Sequence, residues 1–134
     1  MIRSDSAGDG RFNARRDGGR RRHDGVDIAV HEGEAVRSPI DGIFQRVAFP
    51  YSGDGTYGGM LIVGADVEVK MFYLRPDNRL MGQRVAKGQV VGWAQNIGNK
   101  YNDPKRPWQE QMHAHIHYEI VRVNPLLVLD LDVI

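Results

Sequence analysis

Three histidines recur at every second position near the end of the chain, in the run His-Ala-His-Ile-His-Tyr-Glu at 113–119. Every second side chain of a β-strand points to the same face, so His113, His115 and His117 are expected to project together. Neutral imidazole is the most common metal ligand and a proton carrier near neutral pH. The spacing therefore predicts a metal or acid–base site on one face of a strand. The alternative is an exposed, histidine-rich strand without a chemical role.

A histidine and an aspartate stand four residues apart much earlier in the chain, as His23 and Asp27. Val26 and Ile28 flank the aspartate, and this alternation predicts a half-buried strand with the carboxylate on the face opposite to the core residues. Gly25 lets the backbone turn directly before the strand, so that both polar side chains can reach one ion. A helical i,i+4 pair is the alternative, which the glycine and the β-branched residues disfavour.

The chain has no cysteine, so a bound metal must use histidine and carboxylate ligands. A catalytic zinc typically has three such ligands and a fourth position for water. His23, Asp27 and one histidine of the 113–117 strand supply this set. A second imidazole two residues along the strand is placed to take a proton from the water. These residue types predict Zn²⁺ and hydrolysis, although another borderline divalent ion suits the same ligands. Glu119 on the same face either orients a ligand or is exposed.

Short apolar runs between glycine- and proline-containing turns predict an all-β fold that positions these side chains. The strongest predicted strands are 58–63 and 67–74, joined by a short hairpin turn. Tyr73 ends the second strand and is expected to open onto the site. Further strands are predicted at 35–36, 43–47 and within 82–92. The longer connections at 49–55 and 95–111 are expected to border a groove, and no helix longer than a turn or two is evident.

Composition bounds the class of protein. The 134 residues, 41% hydrophobic and 26% charged, are typical of one globular domain. The net charge of +1 gives no reason to expect nucleic acid as a partner. No run approaches the ~18 apolar residues that span a bilayer, and no signal-peptide core is recognised at the N-terminus. We expect no nucleic-acid partner and no membrane insertion, and the sequence leaves the oligomeric state open.

Two regions are predicted along the chain. Residues 1–22 are polar and rich in arginine, most densely at 20–22, and are interpreted as a basic, solvated N-terminal arm. A basic lip beside an anionic substrate is the alternative. Residues 23–134 are expected to form a single domain, whose apolar tail at 126–134 docks back on the body.

The paired motifs His23-x-x-x-Asp27 and His115-Ile116-His117-Tyr118-Glu119 resemble the signature of the lysostaphin-type (LytM-like) zinc metallopeptidases, which cleave cross-links in bacterial peptidoglycan. The likeness continues through Gly25-Val26-Asp27-Ile28, Ala35-Val36-x-Ser38-Pro39-x-Asp41-Gly42, Gly82-x-x-Val85-x-x-Gly88-Gln89-x-x-Gly92 and Asn124-Pro125. It covers about residues 12–126. The resemblance implies an antiparallel β-sandwich or open barrel with a groove between long loops.

Carried over position by position, the resemblance implies that His23, Asp27 and His117 bind Zn²⁺ and that His115 is the catalytic imidazole. It implies a zinc-dependent endopeptidase that cleaves peptide cross-links of peptidoglycan, with a metal-activated water and His115 as general base. Peptidoglycan peptides are then the partner. An extracellular, periplasmic or phage-particle location is expected, even though no signal peptide is recognised.

One position departs from the family pattern. The family usually has another catalytic histidine in a Tyr-x-His-Leu context, and the matching stretch here is Met71-Phe72-Tyr73-Leu74. Residues 69–73 resemble the leukocyte-derived chemotaxin branch of the family. That branch keeps the zinc ligands but is regarded as a signalling protein rather than a peptidase. The alternative function is therefore a catalytically inactive zinc-binding module for a peptide, glycan or protein. For an enzyme, the Tyr73 hydroxyl can donate to a developing oxyanion. His113 either supplies the missing imidazole or is exposed at the groove edge.

Overall fold

A computed structural model of the chain describes residues 1–5, 8–16, 19, 21–102, 105, 107 and 111–133. Its strands are β1 Ser4–Asp5, β2 Gly8–Asp9, β3 Arg15–Arg16, β4 Arg21–Arg22, β5 Val26–Ala29, β6 Ala35–Arg37, β7 Gly42–Ala48, β8 Gly59–Val63, β9 Val67–Phe72, β10 Leu74–Pro76, β11 Arg84–Val85, β12 Val90–Ala94 and β13 His115–Val123. Its helical segments are α1 Gly98–Tyr101 and the 3-10 turns Asn78–Leu80, Pro125–Leu127 and Leu131–Val133. None of these described helices has the length and apolar character needed to cross a membrane.

Two antiparallel sheets form the body of the protein. The larger has six strands in the order β11-β7-β8-β9-β13-β5, and the smaller has the order β10-β12-β6. Two short hairpins, β1-β2 and β3-β4, lie outside these sheets. In the described part of the chain β5 and β11 remain opposite edges of the larger sheet, so the barrel is not closed. The predicted all-β, open antiparallel fold is confirmed.

The hydrophobic core joins both sheets. Its buried members are Val36, Phe44, Met60, Ile62, Val69, Met71, Leu74, Val85, Val91, Ala94 and Ile116. The predicted hairpin at 58–74 supplies the centre of this core through β8 and β9, in which Met60 pairs with Met71 and Ile62 with Val69. The apolar run at 58–63 and the alternation at 67–74 therefore predicted the positions of these two strands.

The core also orients the histidines. Ile116, near the start of β13, is 0% exposed, and burying such a side chain contributes about 1.5–3 kcal/mol. A shift of β13 by one residue would turn Ile116 away from the core, so the register is strongly specified. Because side chains alternate along a strand, His115 and His117 leave β13 on the opposite face.

The interpretation of residues 1–22 as a solvated arm is wrong for part of the described segment. Arg3 is 3% exposed and Gly10 is buried. The Arg3 amide donates to the Asp27 carbonyl, and the Asp27 amide donates to the Gly10 carbonyl, both at 2.8 Å. The segment therefore packs along the edge of β5. Arg20 of the basic run lies outside the described residues, and the boundary between residues 22 and 23 stays a prediction.

The expectation that the apolar tail docks on the body is also wrong for its described residues. Leu126 is 69% exposed and Val128 is 70% exposed. Asn124 begins this tail with a polar anchor, since its side chain donates to Asp66 and accepts from the Leu126 amide. The tail is thus held through its first turn rather than through its leucines.

Candidate metal centre

Pairing between β5 and β13 brings the predicted ligands together. Asp27 lies directly opposite His117, and its Oδ1 is 3.0 Å from Nδ1 of that histidine. Nε2 of His23 is 3.2 Å from the same oxygen. A Cβ atom at Gly25 would lie 2.1 Å from the Tyr118 carbonyl oxygen. Glycine at this position therefore allows the segment before β5 to approach β13 closely enough to bring His23 into the group.

The three side chains form a compact donor set. One ligand atom from each of His23, Asp27 and His117 lies within 4.8 Å of the others, and the two imidazole nitrogens are 3.1 Å apart. With Oδ1 of Asp27 they form a nearly equilateral triangle. Ligands of a tetrahedral zinc at about 2.0–2.1 Å are about 3.3 Å from one another. The donor types and their spacing therefore fit one zinc ion.

The outer nitrogen of each ligand imidazole is also held. Nδ1 of His23 donates to the Arg11 carbonyl at 2.9 Å, and Nε2 of His117 lies 3.2 Å from Oε1 of Glu119. Such contacts fix the tautomer and ring orientation of metal-binding histidines. For Glu119, which the sequence left as either an orienting or an exposed residue, the structure shows the orienting contact.

The second oxygen of Asp27 faces two arginines that sequence reasoning did not assign to the site. Oδ2 of Asp27 is 3.2 Å from Nη2 of Arg3 and 3.6 Å from Nη2 of Arg16. These contacts occupy one carboxylate oxygen and leave Oδ1 directed at the imidazoles. No motif identifies Arg3, because its contact with Asp27 spans 24 residues of chain.

Electrostatics favour ionised Asp27. Burial raises the pKa of its carboxyl, but the His117 hydrogen bond and the neighbouring imidazoles outweigh burial, so the pKa lies below its usual value. Burial lowers the pKa of His117, whereas its hydrogen bonds to Asp27 and Glu119 raise it, and the net direction is upward. The protonation of His117 therefore depends on the charges of Asp27 and Glu119.

His115 is buried beside this triangle. Its Nδ1 donates to the His113 carbonyl at 2.8 Å, and its Nε2 is 3.7 Å from Oδ2 of Asp27. Burial lowers the pKa of this imidazole despite the nearby carboxylate. A neutral ring with its proton on Nδ1 leaves the Nε2 lone pair available, which is the state that a general base requires.

Tyr73 reaches the same site through an unusual backbone. Its φ angle is 74°, in the left-handed region that bulky residues rarely adopt. The normal alternation of β9 breaks there, so Phe72 and Tyr73 both line the cavity over the triangle. The Tyr73 ring meets that of His115 edge-on at 5.2 Å. Burial raises the pKa of the Tyr73 hydroxyl, which keeps it protonated as a hydrogen-bond donor at neutral pH.

The expectation that His113 shares the face of His115 is wrong. β13 begins at His115, so strand alternation does not extend back to His113. Its side chain lines a neighbouring cavity of about 660 Å³ with His31 and Asn102. The structure therefore brings together five of the six predicted site residues and places His113 apart from them.

A cavity of about 430 Å³ opens over the triangle. Residues of both long connections line it, among them Tyr51 and Tyr101, whose hydroxyls are hydrogen-bonded to each other. The predicted role of these connections as borders of a groove is confirmed for Pro50 and Tyr51 of the first and for Ile97 and Tyr101 of the second. Residues 103, 104, 106 and 108–110 of the second connection lie outside the described part.

Known proteins are similar to most of this chain. The family profile described as Peptidase family M23 matches residues 21–126. An uncharacterized metalloprotease of Haemophilus influenzae is 32% identical over 112 residues, which are 81% of this chain and 21% of that protein. Myeloid protein 1 of Gallus gallus is 37% identical over 90 residues, which are 66% of this chain and 27% of that protein. The chain thus spans about a fifth to a quarter of these relatives.

Solved structures share the fold. A mutant catalytic domain of the prophage-encoded M23 protein EnpA from Enterococcus faecalis is similar with a TM-score of 0.58 and 20% identity, over 91% of this chain and 80% of that one. The catalytic domain of the antimicrobial peptidase lysostaphin from Staphylococcus simulans gives 0.55 and 20%, over 90% and 86%. At this identity the likeness establishes the fold alone.

Proposed function

Because the chain belongs to peptidase family M23, we propose that it is a zinc-dependent endopeptidase that cleaves peptide cross-links of bacterial peptidoglycan. The observation that carries this proposal is the triangle of His23, Asp27 and His117, whose ligand atoms lie within 4.8 Å of one another, with His115 buried beside it. Family membership supports a peptidase, and the metal, the substrate and the residue roles are our proposal. A wall substrate implies action outside the cytoplasm or in a phage particle.

Nε2 of His23, Oδ1 of Asp27 and Nδ1 of His117 would hold the metal. Zinc in such a site supplies an activated water and polarises the scissile carbonyl. The chain contributes the orientation of the ligands. Arg3 and Arg16 hold the outer oxygen of Asp27, and Glu119 holds the outer nitrogen of His117.

His115 moves the proton in this proposal. Its Nδ1 proton is committed to the His113 carbonyl, so Nε2 accepts the proton of the attacking water and then delivers it to the leaving amine. Its lowered pKa keeps this nitrogen unprotonated near neutral pH.

In this proposal the Tyr73 hydroxyl has the catalytic role of the histidine that the family pattern has at this position. It donates a hydrogen bond to the oxyanion that develops on the scissile carbonyl, a role that needs a donor rather than a base. Phe72 and Tyr51 line the same cavity.

The test is digestion of purified peptidoglycan by the zinc-loaded protein, scored by newly freed amino groups. His115→Ala is the matched variant, because it removes the base and spares the three ligands. We expect amine release by the wild type and a loss of at least ~100-fold in the variant. Absence of release from several wall types by fully zinc-loaded wild type would contradict the proposal and favour the inactive zinc-binding module.

A further inference from the structure

The N-terminal segment, residues 1–16, holds three residues of the candidate site, although the family profile matches only residues 21–126. Family membership therefore assigns no role to this segment. Its described residues are 1–5 and 8–16, and the contacts to the site come from Arg3, Asp5, Gly10 and Arg11.

The segment holds Asp27 through both its backbone and its side chain. The Asp27 amide donates to the Gly10 carbonyl, and the Asp27 carbonyl accepts from the Arg3 amide, both at 2.8 Å. Nε and Nη2 of Arg3 lie 3.3 and 3.2 Å from Oδ2 of the carboxylate. Two donors on one rigid guanidinium fix the position of this oxygen, which leaves Oδ1 directed at the two ligand imidazoles.

Two imidazoles of the site are also held by this segment. The Arg11 carbonyl accepts from Nδ1 of His23 at 2.9 Å, so Nε2 of the ring faces the triangle. Oδ2 of Asp5 accepts from the His113 amide at 2.8 Å, and the His113 carbonyl accepts from Nδ1 of His115 at 2.8 Å. The segment thus orients one ligand directly and the proposed base through one intervening residue.

Arg3 has two opposing effects on a cation bound at Asp27. Its positive charge repels the cation, whereas its hydrogen bonds hold the carboxylate in the binding orientation. Asp5 lies 2.9 Å from Nη1 of the same guanidinium and offsets part of the repulsion. Loss of an outer partner of a metal ligand typically lowers metal affinity by about 10- to 100-fold, so orientation is expected to be the larger effect.

We propose that the N-terminal segment completes the metal centre, with Arg3 as the positioning residue that sets its affinity for Zn²⁺. The inference rests on the metal site of the proposed function and adds to it an element that precedes the matched family region. Because the contacts hold His23 and Asp27 before a cation binds, less side-chain ordering has to accompany binding.

The zinc affinity of the full chain tests this role without any need for catalysis. Competition with a chromophoric chelator measures the Kd for zinc of the wild type and of variants that are folded by circular dichroism. We expect Arg3→Gln to raise this Kd at least ~10-fold. Arg3→Lys keeps the charge without the two-donor geometry, so its Kd is expected to lie between the two.

Two controls separate positioning from general effects. Val85→Ala removes buried volume from β11, at the opposite edge of the larger sheet from β5, and is expected to lower stability without changing the Kd. Arg84→Gln makes the same change of side chain at an exposed position of β11 and is expected to match the wild type. A Kd raised equally in Val85→Ala and Arg3→Gln would show general destabilisation and overturn the positioning role.

The same titration separates this inference from the proposed function. Stoichiometric zinc in the wild type with an equal or lower Kd in Arg3→Gln would retain the metal site and overturn the inference. If Arg3→Gln does not fold, Arg3→Lys replaces it, and a Kd equal to that of the wild type has the same meaning. A raised Kd in the Arg3 variants, together with no cleavage of peptidoglycan by the wild type, would contradict the peptidase and retain the inference.

Discussion

Tyr73 shows how a single backbone angle decides which side chain reaches the site. With ordinary strand alternation it would follow Met71 toward the core, but its φ angle of 74° turns it into the cavity. A left-handed conformation costs about 1–2 kcal/mol for most residues with a Cβ atom. Histidine is among the residues that tolerate it better. The position therefore accepts a histidine without a change of backbone.

For this reason Tyr73→His is expected to raise kcat/KM for peptidoglycan hydrolysis about tenfold or more, by adding a second imidazole. Tyr73→Phe removes the hydroxyl alone and is expected to lower kcat by about 100-fold. Steady-state kinetics on zinc-loaded proteins measures both. Tyr57→Phe, outside the cavity lining, is the matched control. Unchanged kinetics in both Tyr73 variants would show that the hydroxyl has no catalytic role.

The N-terminal hairpin β1-β2 is the element that sequence analysis least anticipated. Nη1 of Arg3 is 2.9 Å from Oδ1 of Asp5, while the same guanidinium pairs with Asp27 on β5. Oδ2 of Asp5 accepts from the His113 amide at 2.8 Å, two residues before β13 begins. The hairpin thus ties together the two strands that carry the candidate ligands.

Arg3→Met is accordingly expected to lower the free energy of unfolding by about 3 kcal/mol, because it leaves two buried carboxylates with fewer partners. Arg3→Lys keeps the charge but not the forked geometry, so a smaller loss is expected. Urea denaturation measures both, and Arg84→Gln serves as an exposed control. A loss below ~0.5 kcal/mol in Arg3→Met would mean that the ion pairs do not hold the hairpin in solution.

At the scale of the whole molecule, the site links folding to pH. The raised pKa of His117 means that the folded protein holds this proton more tightly than the unfolded chain. This contribution to stability is fully present below the unfolded histidine value of about 6.5 and is lost as pH rises through the folded pKa. Metal binding requires the neutral imidazole, so the stabilisation of the fold by bound zinc increases as pH rises.

In protein treated with EDTA, the stability difference between wild type and His117→Gln is therefore expected to shrink from pH 6 to pH 9. With zinc present, the difference is expected to grow over the same range. Urea unfolding at several pH values measures it, and His31→Gln is the control for a histidine outside the triangle. A stability difference that stays constant with pH in the EDTA-treated pair would contradict the conclusion that folded His117 holds its proton more tightly than the unfolded chain.

The fold was largely predictable because its strands follow simple alternation. Residues 67–72 alternate clearly, and together with the continuous apolar run at 59–63 they form the centre of the core. The tail at 126–133 was misjudged, because apolar composition alone does not supply a surface on which to pack. Composition likewise suggested a solvated N-terminal arm, whereas long-range backbone pairing along β5 holds it.

The candidate site was predictable only where local pattern sufficed. His115 and His117 follow from alternation about Ile116, and His23 and Asp27 follow from their spacing across Gly25. The resemblance then assigned His117 as the third ligand and His115 as the catalytic imidazole. His113 was misplaced because alternation was extended two residues beyond the start of β13. Contacts such as that of Arg3 with Asp27 depend on tertiary packing between distant segments, which one sequence does not reveal.

The proposed function depends on the metal centre, and the most direct test of that centre is the zinc content of the purified protein. Elemental analysis after dialysis against dilute zinc should find about one zinc per chain in the wild type and in the His31→Ala control. His117→Ala and Asp27→Ala, with folding verified by circular dichroism, should retain little or none. Equal zinc content in wild type and His117→Ala would contradict the assignment of the triangle as the metal site.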